Sequence, residues 1–212
     1  QVALGDYNYV PCLNIRSYRP YPKVEDSVID AAAKLINNAK RPYLLYGQGV
    51  ILGKAESQLK AFLDKTGIPA ACTLLGTGAL SEEHPNYVGK LGMHGNYAPN
   101  MLTNKCDVLI SVGMRFDDRV TGDVKRYAKQ AKVIHLELDP AEINKIVKAE
   151  VPILGDCKVS LEKLVEKVDK KEHPEGFKQF RELEAEEKRV VVGNDLSPTK
   201  NGLTMGEVIR HI

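Results

Sequence analysis

Pro42-Tyr43-Leu44-Leu45-Tyr46, followed at once by Gly47-Gln48-Gly49, is the stretch that decides the fold class. A short apolar run without polar alternation, closed by glycines, reads as a strand buried on both faces. Just before it, Val24, Val28, Ala31, Ala32, Leu35, Ile36 and Ala39 recur at helical spacing and predict an amphipathic helix over Glu25–Asn38. Just after it, Ala55, Leu59, Phe62 and Leu63 mark a second helix that Gly67 ends, and Ile68–Thr73 reads as the next strand. The rhythm continues with a helix around Tyr97–Asn104 and the strand Val108-Leu109-Ile110-Ser111-Val112. Strand Lys132–Leu138, a short helix from Pro140, strand Val151–Leu154 and a helix marked by Leu161, Leu164, Val165 and Val168 complete it. Helices alternating with short apolar strands imply an α/β fold: a doubly wound, mostly parallel sheet with helices on both faces, over residues 24–170.

The flanks differ in composition. Residues 1–23 carry Pro11, Pro20 and Pro22 without periodicity and read as an extended linker. Residues 171–192 are dense in alternating charge, with Phe177, Phe180 and Leu183 as an apolar ridge, and predict a solvated helix packed by one edge. Residues 193–212 read as a linker followed by the opening turns of another helix from Met205, the start of a further domain. The first residue is Gln1, which suggests that residues precede it, so an excised middle domain is expected.

Composition narrows the function. In the 212 residues, 30 basic side chains against 28 acidic ones leave a net charge of +2, which gives no reason to expect a nucleic-acid or membrane partner. There is no run of about 18 apolar residues and no signal-peptide pattern. Cys12, Cys72, Cys106 and Cys157 are too scattered for a disulfide framework or a zinc knuckle, and Cys72 and Cys106 read as small buried hydrophobes. A reducing, cytoplasmic compartment follows. The histidines show no ligand spacing, so no metal site is expected.

Ligands of open parallel sheets bind beyond the carboxyl ends of the strands, which selects four places. Gly47-Gln48-Gly49-Val50-Ile51-Leu52-Gly53 is one residue off the dinucleotide fingerprint. The next strand ends in Thr73 where a nicotinamide site wants an acid, so these glycines read as a tight turn or a different ligand contact. Thr73-Leu74-Leu75-Gly76-Thr77-Gly78 offers hydroxyls and amides to a phosphate or ribityl chain, or is an ordinary loop. Leu91-Gly92-Met93-His94-Gly95-Asn96 precedes a helix and permits close backbone approach, although a lone histidine there also serves as a cap or surface residue. The fourth, Gly113-Met114-Arg115-Phe116-Asp117-Asp118-Arg119-Val120-Thr121-Gly122, crowds two arginines and two aspartates directly after a buried strand. Mutual pairing on the surface would explain them; so would Arg115 gripping a planar or phosphate-bearing ligand with Asp117 orienting it. Glu137 is a ribose acceptor by position, and Asp156 an N-cap or a cofactor contact.

With these blocks in view the chain resembles the catalytic subunits of the acetolactate synthase (acetohydroxyacid synthase) family. The match is carried by L-G-M-H-G at 91–95 and G-M-R-F-D-D-R-V-T-G at 113–122. It is supported by I-P-A-A-C-T-L-L-G-T-G at 68–78, K-V-I-H-L-E-L-D-P-A-E-I at 132–143 and L-G-D-C-K at 154–158. The family is thiamine-diphosphate-dependent and joins two 2-oxo acids with loss of CO2. The resemblance implies the central, FAD-binding domain of a three-domain transferase of branched-chain amino-acid biosynthesis.

Carried over residue by residue, the resemblance implies FAD contacts at Thr73, Leu74, Leu91, Gly92, Met93 and His94, then at Gly113, Met114, Arg115, Phe116 and Asp117, and finally at Glu137, Leu138, Asp156 and Cys157. Asn14 stands where the family has an FAD-contacting arginine, with Arg16 nearby. Gln48 replaces a first-turn glycine, and Glu137 replaces the usual aspartate. Asp118 and Arg119 would face the substrate entrance. No catalytic residue is expected within this segment, because the thiamine-binding G-D-G…N signature does not occur and Gly155-Asp156-Cys157 is no substitute. Thiamine diphosphate and Mg2+ would sit on other domains. Pyruvate and 2-oxobutanoate are the implied substrates, a homodimer or tetramer the assembly, and a regulatory subunit a further partner. The alternatives are the central domain of another thiamine-dependent carboligase, such as glyoxylate carboligase, or an FAD-free assembly module.

Overall fold

A computed structural model describes residues 5–6, 8–11, 21–197 and 202–212. Its centre is one six-stranded, all-parallel sheet in the order β3-β2-β1-β4-β5-β6. The strands are β1 (Pro42–Tyr46), β2 (Ala70–Cys72), β3 (Tyr87–Lys90), β4 (Val108–Val112), β5 (Lys132–Glu137) and β6 (Val151–Leu154). The helices are α1 (Asp26–Asn38), α2 (Gln48–Leu52), α3 (Glu56–Thr66), α4 (Tyr97–Thr103), α5 (Asp118–Thr121), α6 (Cys157–Lys167), α7 (Pro174–Glu187), α8 (Gly193–Asp195) and α9 (Met205–Arg210).

Strand alternation sorts the core into two layers. Leu44 and Tyr46 of β1, with Ile110 of β4 and Ile134 of β5, face α1, α3 and α6, where they meet Ile29, Leu59, Phe62 and Leu161. Tyr43, Leu45, Leu109 and Val133 face the other way, against Leu102 of α4 and the Phe177–Phe180–Leu183 ridge of α7. Each fully buried Leu, Ile or Phe contributes about 1.5–3 kcal/mol relative to exposure. Both faces of β1 and β4 are therefore apolar, which is why these strands read as unbroken hydrophobic runs.

The doubly wound reading holds, and β1 and β4 occupy the residues expected of them. Gly67 ends α3 in the left-handed conformation, its amide donating to Leu63. Helix α9 opens with a reciprocal cap between Thr204 and Glu207. Three details differ. The chain after Pro140 makes turns instead of a helix, because Asp139 and Asn144 bond backbone amides two and five residues ahead and divert the chain from helical pairing. Strand β3 was not expected, since Gly89 and the preceding Pro85-Asn86 disguise it. The second strand shrinks from Ile68–Thr73 to Ala70–Cys72, with Thr73 already capping a 3-10 turn.

Candidate functional site

Strand order reverses between β1 and β4, and the connections leaving their carboxyl ends diverge to opposite faces of the sheet. That divergence opens a crevice. Here it is a cleft of about 1180 Å³, walled by the ends of β1, β2, β4, β5 and β6 and by the loop at 91–95.

Its floor is a contact between two glycine turns. The Gly49 amide donates to the Gly113 carbonyl at 2.8 Å, and the Gly47 amide to Val112 at 3.0 Å. A Cβ on Gly49 would lie 2.6 Å from the Gly113 Cα, and Gly113 itself has φ 56°. The glycines of the first turn are thus required by loop-on-loop packing, and they need no ligand to explain them. Gln48, between them, lines the cleft.

The β4 loop forms one wall. Asp117 caps α5, its Oδ1 accepting from the amides of Arg119 (3.1 Å) and Val120 (3.2 Å), while its Oδ2 accepts from Arg115 Nε at 3.2 Å. Arg115 and Asp117 thus pair, but the loop does not neutralise itself. The Arg119 guanidinium turns instead to Met93, with Nη1 3.4 Å from the sulfur. The Arg115 side chain stays 66% exposed, so its pair with Asp117 adds little to stability and leaves the guanidinium's other donors available.

The opposite wall is the 91–95 loop, and a residue that sequence reasoning passed over holds it. Asn100 of α4 accepts from the Gly92 amide (2.9 Å) and donates to the Gly92 carbonyl (3.0 Å) and to Asn96 (3.0 Å). The Met93 amide donates to the Arg119 carbonyl at 2.7 Å, so the two walls are tied together. Gly92 has φ 102°, and a Cβ there would come within 2.8 Å of that carbonyl. His94 is exposed on the rim.

At the far end, Glu137 Oε1 accepts from the amides of Leu138 (2.8 Å) and Asp139 (3.1 Å), which fixes the carboxylate at the tip of β5. Asp156 caps α6 through Lys158 (2.7 Å), as one of its two readings has it, and also lines the cleft. The Cys157 thiol donates to the Gly49 carbonyl at 3.3 Å, and burial pushes its pKa up to about 11, so it is no nucleophile at neutral pH.

Thr73, Leu74, Leu91, Gly92, Met93, His94, Gly113, Met114, Arg115, Asp117, Glu137, Leu138, Asp156 and Cys157 all line this one cleft, as does Arg119. Two of the expected residues lie off the lining. The Phe116 side chain is buried in the second core layer with Met114, edge-on to His135 (4.9 Å) and Tyr127 (6.1 Å), because a hydrophobic layer lies directly beneath the loop. Asp118 is exposed in the first turn of α5 and lies off the lining. Asn14, with Cys12 and Arg16, lies outside the described residues. Lys90 joins the lining from the unforeseen β3. No three His, Cys, Asp or Glu side chains cluster as a metal site among the described residues, and no described helix is long and apolar enough to cross a membrane.

Comparison with known proteins agrees with this geometry. The chain is 44% identical over 166 residues to the acetolactate synthase large subunit of Corynebacterium glutamicum, covering 78% of this chain and 26% of that protein. It is 44% identical over 165 residues to the probable acetolactate synthase large subunit of Methanocaldococcus jannaschii (78% and 28%). It is 43% identical over 160 residues to the acetolactate synthase of Mycobacterium avium (76% and 26%). The chain spans about a quarter of the length of these relatives. The family model described as "Thiamine pyrophosphate enzyme, central domain" matches residues 29–164, the stretch that builds all six strands and the cleft between them, and the chain belongs to that family.

Proposed function

We propose that this chain is the central domain of an acetolactate synthase and that its cleft holds FAD. The carrying observation is convergence: apart from Phe116, every described residue expected to touch the flavin nucleotide lines one cleft at the strand-order reversal. The residues fit such a group. The cleft exceeds the roughly 300–1,000 Å³ of ordinary small-molecule sites, as an extended dinucleotide requires. Arg115 has donors to spare for a phosphate or a ring edge, and Glu137 is held by two backbone amides at the ribose position. Thr73 and the 91–94 backbone would meet the ribityl chain and the ring system.

In this reading thiamine diphosphate, held with Mg2+ on other domains, supplies the carbanion chemistry that joins pyruvate to a second 2-oxo acid with release of CO2. This chain's residues bind and orient. Asp117 aims Arg115, Asn100 sets the 91–95 wall, and Arg119 with Asp118 stands where substrate would enter. The flavin would shape surfaces in a reaction with no net redox change. A homodimer or tetramer and a regulatory subunit complete the proposed assembly, in branched-chain amino-acid biosynthesis in the cytoplasm.

The test is direct. Purified chain mixed with FAD should show stoichiometric flavin absorbance and release the intact dinucleotide on denaturation. Folded chain that takes up no FAD would favour the assembly-module reading, and condensation of glyoxylate by the intact enzyme would favour glyoxylate carboligase.

A further inference from the structure

Five buried side-chain polar atoms among the described residues lack hydrogen-bond partners, and two of them belong to residues paired in register on adjacent strands. Ser111 of β4 and His135 of β5 are register partners in the parallel ladder, and each has no exposed surface. Strand alternation turns both side chains toward the second core layer, since their neighbours Leu109 and Val133 belong to it. Ser111 Oγ and His135 Nδ1 are both without a hydrogen bond.

The other ring nitrogen fixes the proton. His135 Nε2 lies 2.9 Å from the Met114 carbonyl, which can only accept, so Nε2 must donate. Burial holds the ring's pKa below its usual value, against smaller opposing effects of the Met114 bond, Glu137 and Glu142. A neutral ring protonated at Nε2 has a lone pair at Nδ1. Ser111 brings the complementary donor, a hydroxyl free to rotate, from the adjacent strand. Buried polar atoms left without partners cost the fold their full desolvation.

We propose that His135 is a positioning residue for the cleft. As the Nε2-protonated ring it donates a hydrogen bond to the Met114 carbonyl and accepts one at Nδ1 from Ser111, directly or through one enclosed water. The relay runs from the middle of the sheet to the Gly113–Asp117 wall that carries Arg115. Glu137, at the far end of the cleft, lies close by, its Oε2 3.9 Å from His135 Nε2 and beyond hydrogen-bond reach of the neutral ring. Phe116, edge-on to the ring at 4.9 Å, closes the remaining side, which is why that residue packs inward. The consequence for ligand affinity rests on the flavin reading above; the relay itself does not.

Nitrogen-15 spectroscopy of the chain without flavin tests the relay. The His135 ring should carry its proton on Nε2, and Ser111→Ala should move the Nδ1 resonance while leaving Nε2–H in place. His135→Phe should speed hydrogen exchange at the Gly49 amide, which bonds the Gly113 carbonyl, by about tenfold and weaken FAD binding by a similar factor. His135→Gln keeps a donor toward Met114 and should restore both to within about threefold of the parent. A ring protonated at Nδ1, an Nδ1 resonance indifferent to Ser111→Ala, or unchanged exchange in a folded His135→Phe chain would overturn the proposal. If the Phe variant does not fold, the ring tautomer and the Ser111→Ala shift decide alone. Should the parent chain take up no FAD, the flavin reading fails, while these spectroscopic outcomes still judge the relay.

Discussion

Gly49 and Gly113, 64 positions apart in the chain, touch backbone to backbone: the amide of one donates to the carbonyl of the other at 2.8 Å, with no room for a Cβ between them. Gly113→Ala adds a left-handed penalty, because φ is 56° there, to a clash with the Gly49 backbone at 2.8 Å. Strain of this kind costs about 1–3 kcal/mol before the clash is counted. Gly49→Ala meets the clash without the φ penalty and should lose less. Urea denaturation should rank the parent above Gly49→Ala and Gly49→Ala above Gly113→Ala; equal midpoints would show that the turns move apart freely.

Arg115 and Arg119 should separate by function. Both line the cleft, but Arg115 pairs only through Nε with Asp117, whereas the Arg119 guanidinium turns to Met93. An arginine bond to a charged partner is worth about 1.5–3 kcal/mol, so Arg115→Ala should weaken FAD binding roughly ten- to a hundredfold. Arg119→Ala should retain FAD and lower turnover of the intact enzyme. Flavin titration of both variants checks this, and the reverse ranking would reassign the two side chains.

Asn100→Ala leaves the half-buried Gly92 amide without its partner and removes one of the two donors to the Gly92 carbonyl, which keeps the Gly95 amide at 3.0 Å. A stability loss of about 1–3 kcal/mol is expected, together with weaker FAD binding from a loosened wall. Asn100→Asp keeps the acceptor for the Gly92 amide but not the donor for its carbonyl, and should fall between. Thermal melts with and without FAD would report both effects.

Acid should weaken the fold in two stages. Burial holds His135 and His173 below their ordinary value of 6.5, so the unfolded rings take up protons before the folded ones do. The stability they contribute is intact above that value and declines as pH falls below it toward the folded values. At lower pH, Asp26, held down by the Lys163 hydrogen bond, and Asp64, held down by that of Lys60, lose their contributions as pH drops from 3.8 through their folded values. Urea midpoints measured across these ranges should show both declines, and His135→Gln should make the first shallower. An unaltered first decline in that variant would assign it to His173.

Strand and helix periods were legible because burial leaves a chemical signature: β1 and β4, apolar on both faces, could hardly be read otherwise. The Arg115–Asp117 pair was legible for a similar reason, since charges at the end of a buried strand need partners. Phe116 turns its side chain inward, and family likeness names a position without saying whether backbone or side chain would make the contact. The Pro140 turn was misread because local side-chain bonds from Asp139 and Asn144 outweigh weak helical spacing. Asn100 escaped notice because its work is on a peptide eight residues away, and a single Asn in a helix carries no such message. Ser111 carried no message within the strand Val108–Val112, and only the register sets it beside His135.

The strand order has a consequence in time as well as space. Because every neighbouring pair in the sheet is parallel, each rung joins segments separated by a long crossover, and such pairings form slowly. The cleft's lining comes from the ends of strands scattered from Tyr46 to Leu154, so a nascent or half-folded chain has nothing for a nucleotide to grip. A cofactor bound there would recognise only the finished molecule. At about a hundred times its dissociation constant it would deepen the native basin by roughly 2.7 kcal/mol, chiefly by slowing escape from it. If that cofactor is a flavin, cellular flavin supply would then set how long this polypeptide survives.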